Sequence, residues 1–100
     1  MDSPDANEPT EYPINGVLDL HVFDPGVIGD LVPDYLRACH AKGIYRVRII
    51  HGKGTGRLRQ GVVKLLDRDP LVLRHRPATD RSSWGATIAF LDAEADGPSA

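Results

Sequence analysis

The chain has 100 residues, 41% of them hydrophobic, and a formal net charge of −2, a length that supports one core and excludes a second domain. Its one cysteine, Cys39, excludes a disulfide framework or a multi-cysteine metal site and is typical of a reducing compartment. Because the sequence has neither a run of about 18 apolar residues nor a signal leader, we expect a cytoplasmic protein with no membrane partner.

Both ends of the chain are acidic and lack residues that could build a core. Residues 1–13 combine three prolines with Asp, Asn, Glu and Thr, and residues 93–100 consist of Ala, Glu, Asp, Gly, Pro and Ser. Segments of this composition bury too little apolar surface to offset the entropy of ordering them. The sequence therefore predicts disordered acidic tails at 1–13 and 93–100 and a folded domain at 14–92.

The first half of that domain predicts a strand followed by a helix. Residues 17–20 form a short apolar run after an Asn-Gly turn signal, which is typical of a buried strand. Apolar residues from Val27 to Cys39 then recur at helical spacing, between a start signal at Asp24-Pro25 and an end signal at Lys42-Gly43. Pro33 inside this helix predicts either a kink or a second helix start.

The second half predicts strand, helix, strand, strand. Residues 44–50 are β-branched and bounded by glycine, residues 58–66 show a helical apolar stripe, and two further apolar runs occupy 71–73 and 86–91. The predicted fold is a two-layer α/β sandwich of order βαβαββ, with a four-stranded, mostly parallel mixed sheet and two helices. Right-handed crossovers should join three parallel strands, with the last strand antiparallel.

Two motifs follow the first two predicted strands. They are Leu18-Asp19-Leu20-His21 and His51-Gly52-Lys53-Gly54-Thr55-Gly56. Ligands of such sheets collect at the carboxyl ends of the strands, so both motifs should meet there. While the first strand stays extended, Asp19 and His21 leave on one face, and His51 approaches them if the two strands are neighbours. The sequence thus predicts a compact cluster of two histidines and one aspartate.

The second motif has the composition of a phosphate-binding loop. Its three glycines permit a positive φ and close approach of a ligand, and the helix behind it offers unpaired N–H groups. Lys53, Arg57 and Arg59 add positive charge for contacts to oxygens. The loop lacks the Gly-Lys-Ser/Thr ending of a Walker motif, and Arg57 stands where a dinucleotide fingerprint has glycine. Nucleotide cofactors are therefore disfavoured.

Two interpretations of the histidines remain open from the residues alone. Histidine can take a proton from water or a 2′-hydroxyl and return one to a leaving oxygen, with Asp19 orienting an imidazole or holding a divalent cation. A single carboxylate is too few for a two-metal site, so we favour acid–base catalysis by histidine, in which a cation such as Mg²⁺ or Mn²⁺ is optional. Alternatively, Asp19 and His21 tie a turn and His51 supports the glycine loop.

Charge is distributed unevenly along the chain. All 12 basic residues fall between Arg37 and Arg81, where three acidic residues leave this 45-residue segment a net charge of +9. Such a segment fits a polyanionic partner, and we favour nucleic acid. The alternative is that these side chains solvate helix faces. Trp84 either stacks on an unpaired base or covers the open edge of the core.

Both motifs, with Leu58-Arg59 behind the second and Gly85-Ala86-Thr87 near the end, resemble the Smr (small MutS-related) domain family over residues 17–91. The resemblance implies an α/β domain that binds nucleic acid, and several members are nicking or RNA-cleaving endonucleases. It also implies a catalytic or binding role for the two motifs. Where the family usually has glycine after the first motif's histidine, this chain has Val22.

The leading hypothesis is a stand-alone Smr-like endonuclease that hydrolyses phosphodiesters in RNA or DNA, including structured or branched forms, as a monomer. The predicted catalytic residues are Asp19, His21 and His51. The predicted nucleic-acid contacts are Gly52, Lys53, Gly54, Thr55, Gly56, Arg57, Arg59 and Trp84. The alternatives are a non-catalytic module that docks on RNA, DNA or the ribosome, and a protein-interaction domain that uses the same surface.

Overall fold

The computed structural model describes residues 13–52, 54, 56–78 and 85–95. Its strands are β1 (Val17–Asp19), β2 (Arg46–Ile50), β3 (Val72–Pro77) and β4 (Ala86–Leu91), and its helices are α1 (Ile28–Ala41) and α2 (Arg57–Arg68). The order βαβαββ is the predicted one. Most of the predicted tails, 1–12 and 96–100, lies outside the described residues. Neither α1 nor α2, which are the helices of the described part, is long and apolar enough to cross a membrane.

The four strands form one mixed sheet in the order β1-β2-β4-β3. β1 pairs with β2 in parallel, and β4 pairs antiparallel with both β2 and β3. Three strands therefore run in one direction and the last runs against them, as predicted. Only one of the three pairings is parallel, however, because β4 inserts between β2 and β3. The prediction of a mostly parallel sheet thus holds for strand direction and not for pairing.

Both helices pack on one face of this sheet, where the main core lies. Alternate strand residues point to that face, because successive side chains of a strand leave on opposite sides. The apolar stripes of the helices pack against these side chains. Burial of each large apolar side chain stabilises the fold by roughly 1.5–3 kcal/mol. The buried residues of this core are Leu18, Leu20, Ile28, Leu31, Val32, Tyr35, Leu36, Cys39, Val47, Ile49, Val62, Leu66, Leu71, Ala89 and Leu91.

The opposite face of the sheet carries a second, smaller apolar cluster. Its buried members are Ala78, Ala86 and Ile88, with Ile50 and Phe90 packed against them. All five belong to strands or to the residue just after β3, so in the described part of the chain no helix residue contributes to this cluster. This helix-free surface is called the open face below.

The end of β3 and the start of α1 differ most from the sequence prediction, and the other element boundaries lie within two residues of it. β3 extends to Pro77 rather than ending at residue 73. It is an edge strand of the sheet, where charged side chains such as Arg74 and Arg76 can reach solvent. The chain also enters α1 through a 3-10 turn, Pro25–Val27, and the helix runs from Ile28 to Ala41 with Pro33 inside it. A second helix start is therefore the wrong alternative.

Tyr35 of α1 fixes the position of β1. Its hydroxyl accepts a hydrogen bond from the backbone N–H of Gly16 at 3.1 Å and lies 3.0 Å from the carbonyl of Val17, to which it can donate. Desolvation by burial raises the pKa of the Tyr35 hydroxyl and of the neighbouring Cys39 thiol above their ordinary values. These contacts set the strand whose far end carries the first motif.

Candidate functional site

The two motifs do meet at one edge of the sheet. β1 and β2 are neighbours, and Asp19, the last residue of β1, pairs with Ile50, the last residue of β2. Adjacent strands lie about 4.8 Å apart, so the residues that follow each strand emerge close together. The adjacency on which the predicted cluster depended is therefore present.

The first motif turns as soon as β1 ends. Leu20–Val22 forms a 3-10 turn, and Oδ1 of Asp19 caps it by accepting a hydrogen bond from the N–H of His21 at 3.0 Å. The side chain of His21 is 79% exposed, with its Nδ1 3.8 Å from Asp19 Oδ1, too far for a hydrogen bond. The strand does not stay extended through His21, so the expected alignment of the two side chains on one strand face is absent.

His51 is held quite differently, with 7% exposure and both ring nitrogens bonded. Nδ1 lies 2.9 Å from the carbonyl oxygen of Gly52, and Nε2 lies 2.9 Å from Oγ1 of Thr87. A carbonyl only accepts, so Nδ1 must carry a proton. In the neutral imidazole, Nε2 then accepts a hydrogen bond from the Thr87 hydroxyl. His51 thus ties the start of the glycine loop to β4.

Gly85 adds a second clamp at the same place. Its carbonyl accepts hydrogen bonds from the N–H groups of both His51 and Gly52, each at 2.9 Å. A Cβ built on Gly85 would lie 3.6 Å from Cα of Gly52, which is ordinary contact. Sequence reasoning did not assign Gly85 or Thr87 to the site. The sequence signal for these two residues is the Gly85-Ala86-Thr87 motif, which is part of the family resemblance.

The glycine loop opens onto a concavity at the start of α2. Gly52 and Gly56 have φ values of 80° and 89°, in the left-handed region that side chains rarely adopt, and Gly56 is the N-cap of α2. The first turn of a helix presents N–H groups that have no acceptor within the helix. The concavity has a volume of about 550 Å³ and is lined by Pro25, His51, Gly52, Gly54, Gly56, Arg57, Leu58 and Arg59.

The concavity can therefore bind an anion but does not unite the predicted catalytic cluster. Asp19 and His21 are not among its lining residues, and among the described residues no hydrogen bond or ion pair joins either of them to His51. Asp19 pairs with Ile50, and both side chains lie on the open face of the sheet. The side chain of His51 instead bonds Thr87 on the opposite face, where the helices pack. Lys53, Thr55 and Trp84 lie outside the described residues.

A protein-held metal ion finds few ligands at this edge of the sheet. Within the described residues there is no group of three or more His, Cys, Asp or Glu side chains placed to hold one. The first motif offers one carboxylate and one imidazole, and the carboxylate already caps a turn.

Sequence comparison relates this chain to a known domain. The family profile described as "Smr domain" matches residues 18–92. The protein "Endonuclease MutS2" of Caldicellulosiruptor saccharolyticus is 44% identical over 61 residues, and its namesake from Synechocystis is 53% identical over 44 residues. These matches cover 60% and 43% of this chain but only 8% and 5% of the relatives. The chain thus spans a small part of the curated relatives it matches.

Solved structures agree with the fold. The crystal structure of the Smr domain of Thermus thermophilus MutS2 superposes with a TM-score of 0.68 at 31% identity, covering 78% of this chain and 99% of that one. YdaL, a stand-alone small MutS-related protein from Escherichia coli, superposes with a TM-score of 0.70 at 24% identity, covering 84% of this chain and 70% of that one. The second likeness, at this identity, shows the fold alone.

Proposed function

This chain belongs to the Smr domain family, and from that premise we propose that it binds RNA or DNA and cleaves phosphodiester bonds as an endonuclease. The names of its MutS2 relatives support the activity, although they describe proteins of which this chain matches 8% or less. The buried thiol of Cys39 fits a reducing compartment, which we take to be the cytoplasm, and we propose that the protein acts as a monomer.

The concavity at the start of α2 is the observation that carries this proposal. A phosphate bound there would meet the positive end of the helix dipole and the backbone of Gly54 and Gly56. Arg57 and Arg59 line the same space and supply charge-assisted hydrogen bonds to phosphate oxygens. Lys53 and Thr55 belong to this loop by sequence, and we propose that they contact the backbone as well.

We assign proton transfer to His21, the exposed histidine. Its imidazole would take a proton from water or from a 2′-hydroxyl, and the oxygen so activated would attack phosphorus while the bond to the leaving oxygen breaks. The leaving oxygen then takes up a proton from a second acid or from solvent. Asp19, 3.8 Å away, would stabilise the imidazolium that forms and orient the ring.

His51 has a different part in this scheme. Both of its ring nitrogens are engaged, so it can act on a substrate through Nε2 only by releasing the hydroxyl of Thr87. We propose that it mainly holds the glycine loop in the shape that receives phosphate. Trp84, which precedes Gly85 in the sequence, is proposed to stack on an unpaired base.

The test is cleavage of a supercoiled plasmid and of end-labelled RNA by the purified wild type and by Asp19→Asn, His21→Ala and His51→Ala. His75→Ala is the matched control, because His75 pairs with Asp67 at the far edge of the sheet. We expect loss of cleavage in the three site variants and wild-type rates in the control. Parallel reactions with EDTA, Mg²⁺ and Mn²⁺ determine whether a divalent cation takes part.

Equal trace cleavage by wild type and all variants would identify a contaminating nuclease and reject the enzymatic proposal. A second candidate would then stand, a non-catalytic module that docks on structured RNA, branched DNA or the ribosome. The fully bonded state of His51 favours that candidate. It predicts binding that weakens steeply with salt, because phosphate contacts release counterions, and no turnover.

A further inference from the structure

The open face carries a second group of basic residues, away from the glycine loop. Two rows cross strands β2, β4 and β3, and each has an arginine on either side of an apolar residue. One row is Arg46, Phe90 and Arg74, and the next is Arg48, Ile88 and Arg76. Strand spacings place the outer Cα atoms of a row about 10 Å apart and the rows about 7 Å apart.

Phe90 organises one side of this group. Cζ of Arg74 lies 4.3 Å from the centroid of the Phe90 ring, and Cζ of Arg76 lies 5.5 Å from it. Both distances are within the range of a cation–π interaction. Two guanidinium groups are thus held over one ring, which reduces the entropy that a bound anion would otherwise cost them.

The arginines also lie beside the apolar residues of the open face, since Arg46 and Arg48 line one shallow concavity together with Ile88. Ile88 is buried although no helix among the described residues contributes to its cluster, and long arginine stems can cover such a surface while their charged ends stay in water. Arg46 and Arg74 are exposed on this face, and Arg48 and Arg76 are half-buried, so charged side chains of the described residues are accessible to a partner here.

Three of these four arginines have little local compensation among the described residues. Arg46, Arg74 and Arg76 make no ion pair with a carboxylate in the described part of the chain. The one acidic residue at the paired strand positions of this face is Asp19, whose carboxylate caps the following turn. Like charges gathered on one surface are unfavourable alone and favourable against a polyanion.

We propose that the open face binds the phosphate backbone of a nucleic-acid strand, so that the domain holds nucleic acid at two surfaces. This inference rests on the proposed function and adds a contact that no motif residue makes. β2 joins the surfaces, because Arg46 and Arg48 lie along it and His51 follows its end. A strand that crosses the open face can therefore reach the glycine loop over the end of β2.

The test measures the affinity of labelled single-stranded RNA by fluorescence anisotropy across a series of salt concentrations. The variant is Arg46→Ala with Arg76→Ala. Its matched control is Arg37→Ala with Lys42→Ala, which removes the same charge from α1 and the turn behind it, on the helix side of the sheet. Arg59→Ala reports on the glycine-loop concavity.

We expect the open-face variant to bind about tenfold or more weakly at low salt, with a salt slope shallower by about 1.4 for two lost contacts to a single strand. The α1 control should bind nearly as the wild type does. Arg46→Lys with Arg76→Lys should keep most of the slope. If circular dichroism shows that the alanine pair does not fold, Arg46→Gln with Arg76→Gln replaces it, because glutamine keeps much of the side-chain stem and removes both charges, and the same loss of slope is expected.

Equal affinity and slope in the open-face variant and the α1 control would overturn the inference, and the proposed function would survive if Arg59→Ala still weakens binding. An altered sedimentation coefficient with unchanged RNA affinity would also overturn it, by assigning the face to a second copy of the chain. Failure of the wild type to bind any RNA or DNA at low salt would instead reject the proposed function.

Discussion

The histidines of the two motifs lie at neighbouring strand ends yet have opposite surroundings. His51 is 7% exposed and bonded at both nitrogens, whereas the side chain of His21 is 79% exposed and has one loose contact, 3.8 Å from Asp19. A buried polar ring with all its hydrogen bonds made contributes to stability, and an exposed ring can exchange protons with a substrate. The comparison separates a residue that shapes the site from one that is available for chemistry.

Removal of the buried ring should have the largest effect on stability. His51→Ala leaves the Gly52 carbonyl and the Thr87 hydroxyl without their partner, and we expect it to lower the free energy of unfolding by roughly 2–4 kcal/mol. For a domain of this size the melting temperature should fall by about 10 °C or more. Calorimetry checks this, and a melting temperature within a few degrees of wild type would show that the two bonds contribute little.

Removal of one bond from that ring should have a smaller effect. Thr87→Val keeps the shape of the side chain but deletes the hydroxyl that bonds Nε2, and we expect a loss of about 1–2 kcal/mol. Thr87→Ser restores a hydroxyl and should recover part of this loss. If urea unfolding places Val and Ser at the same midpoint, the hydroxyl is not what holds His51.

On the exposed side, the charge of Asp19 can be separated from its capping role. Asp19→Ala removes the cap on His21 and should cost about 1 kcal/mol, whereas Asp19→Asn keeps an oxygen that can accept the same bond. Asn should therefore unfold nearly as the wild type does while losing cleavage. Wild-type cleavage by Asp19→Asn, measured beside its unfolding curve, would remove the carboxylate charge from the mechanism.

The smallest expected effect lies at the other end of β1, where burial raises the pKa of Cys39 and Tyr35 above their ordinary values of 9.0 and 10.0. A pKa that is higher in the folded state than in the unfolded state adds to the free energy of unfolding. This contribution is complete below pH 9 and declines as the pH rises, since the unfolded chain releases its protons first. Cys39→Ala should flatten the decline between pH 9 and 10. An unchanged slope in unfolding experiments would exclude the thiol as its source.

The sequence predicted the order of the elements and the meeting of both motifs at one sheet edge, because hydrophobic periodicity and the parallel β1–β2 unit determine them. It could not predict that β4 inserts between β2 and β3, since chain order does not encode strand order. The hydrogen bond between His51 and Thr87 could not be predicted either, because the two residues are 36 positions apart and meet only when β4 lies beside β2. Likewise, Arg46 and Arg76 face the same side only after β4 brings their strands together.

The most direct test of the division between the two histidines is single-turnover cleavage of labelled RNA by His21→Ala, measured together with its melting temperature. His21 is exposed, so its removal should change stability by no more than about 0.5 kcal/mol. We predict a wild-type melting temperature and loss of cleavage. Cleavage at the wild-type rate by the folded His21→Ala protein would contradict the account.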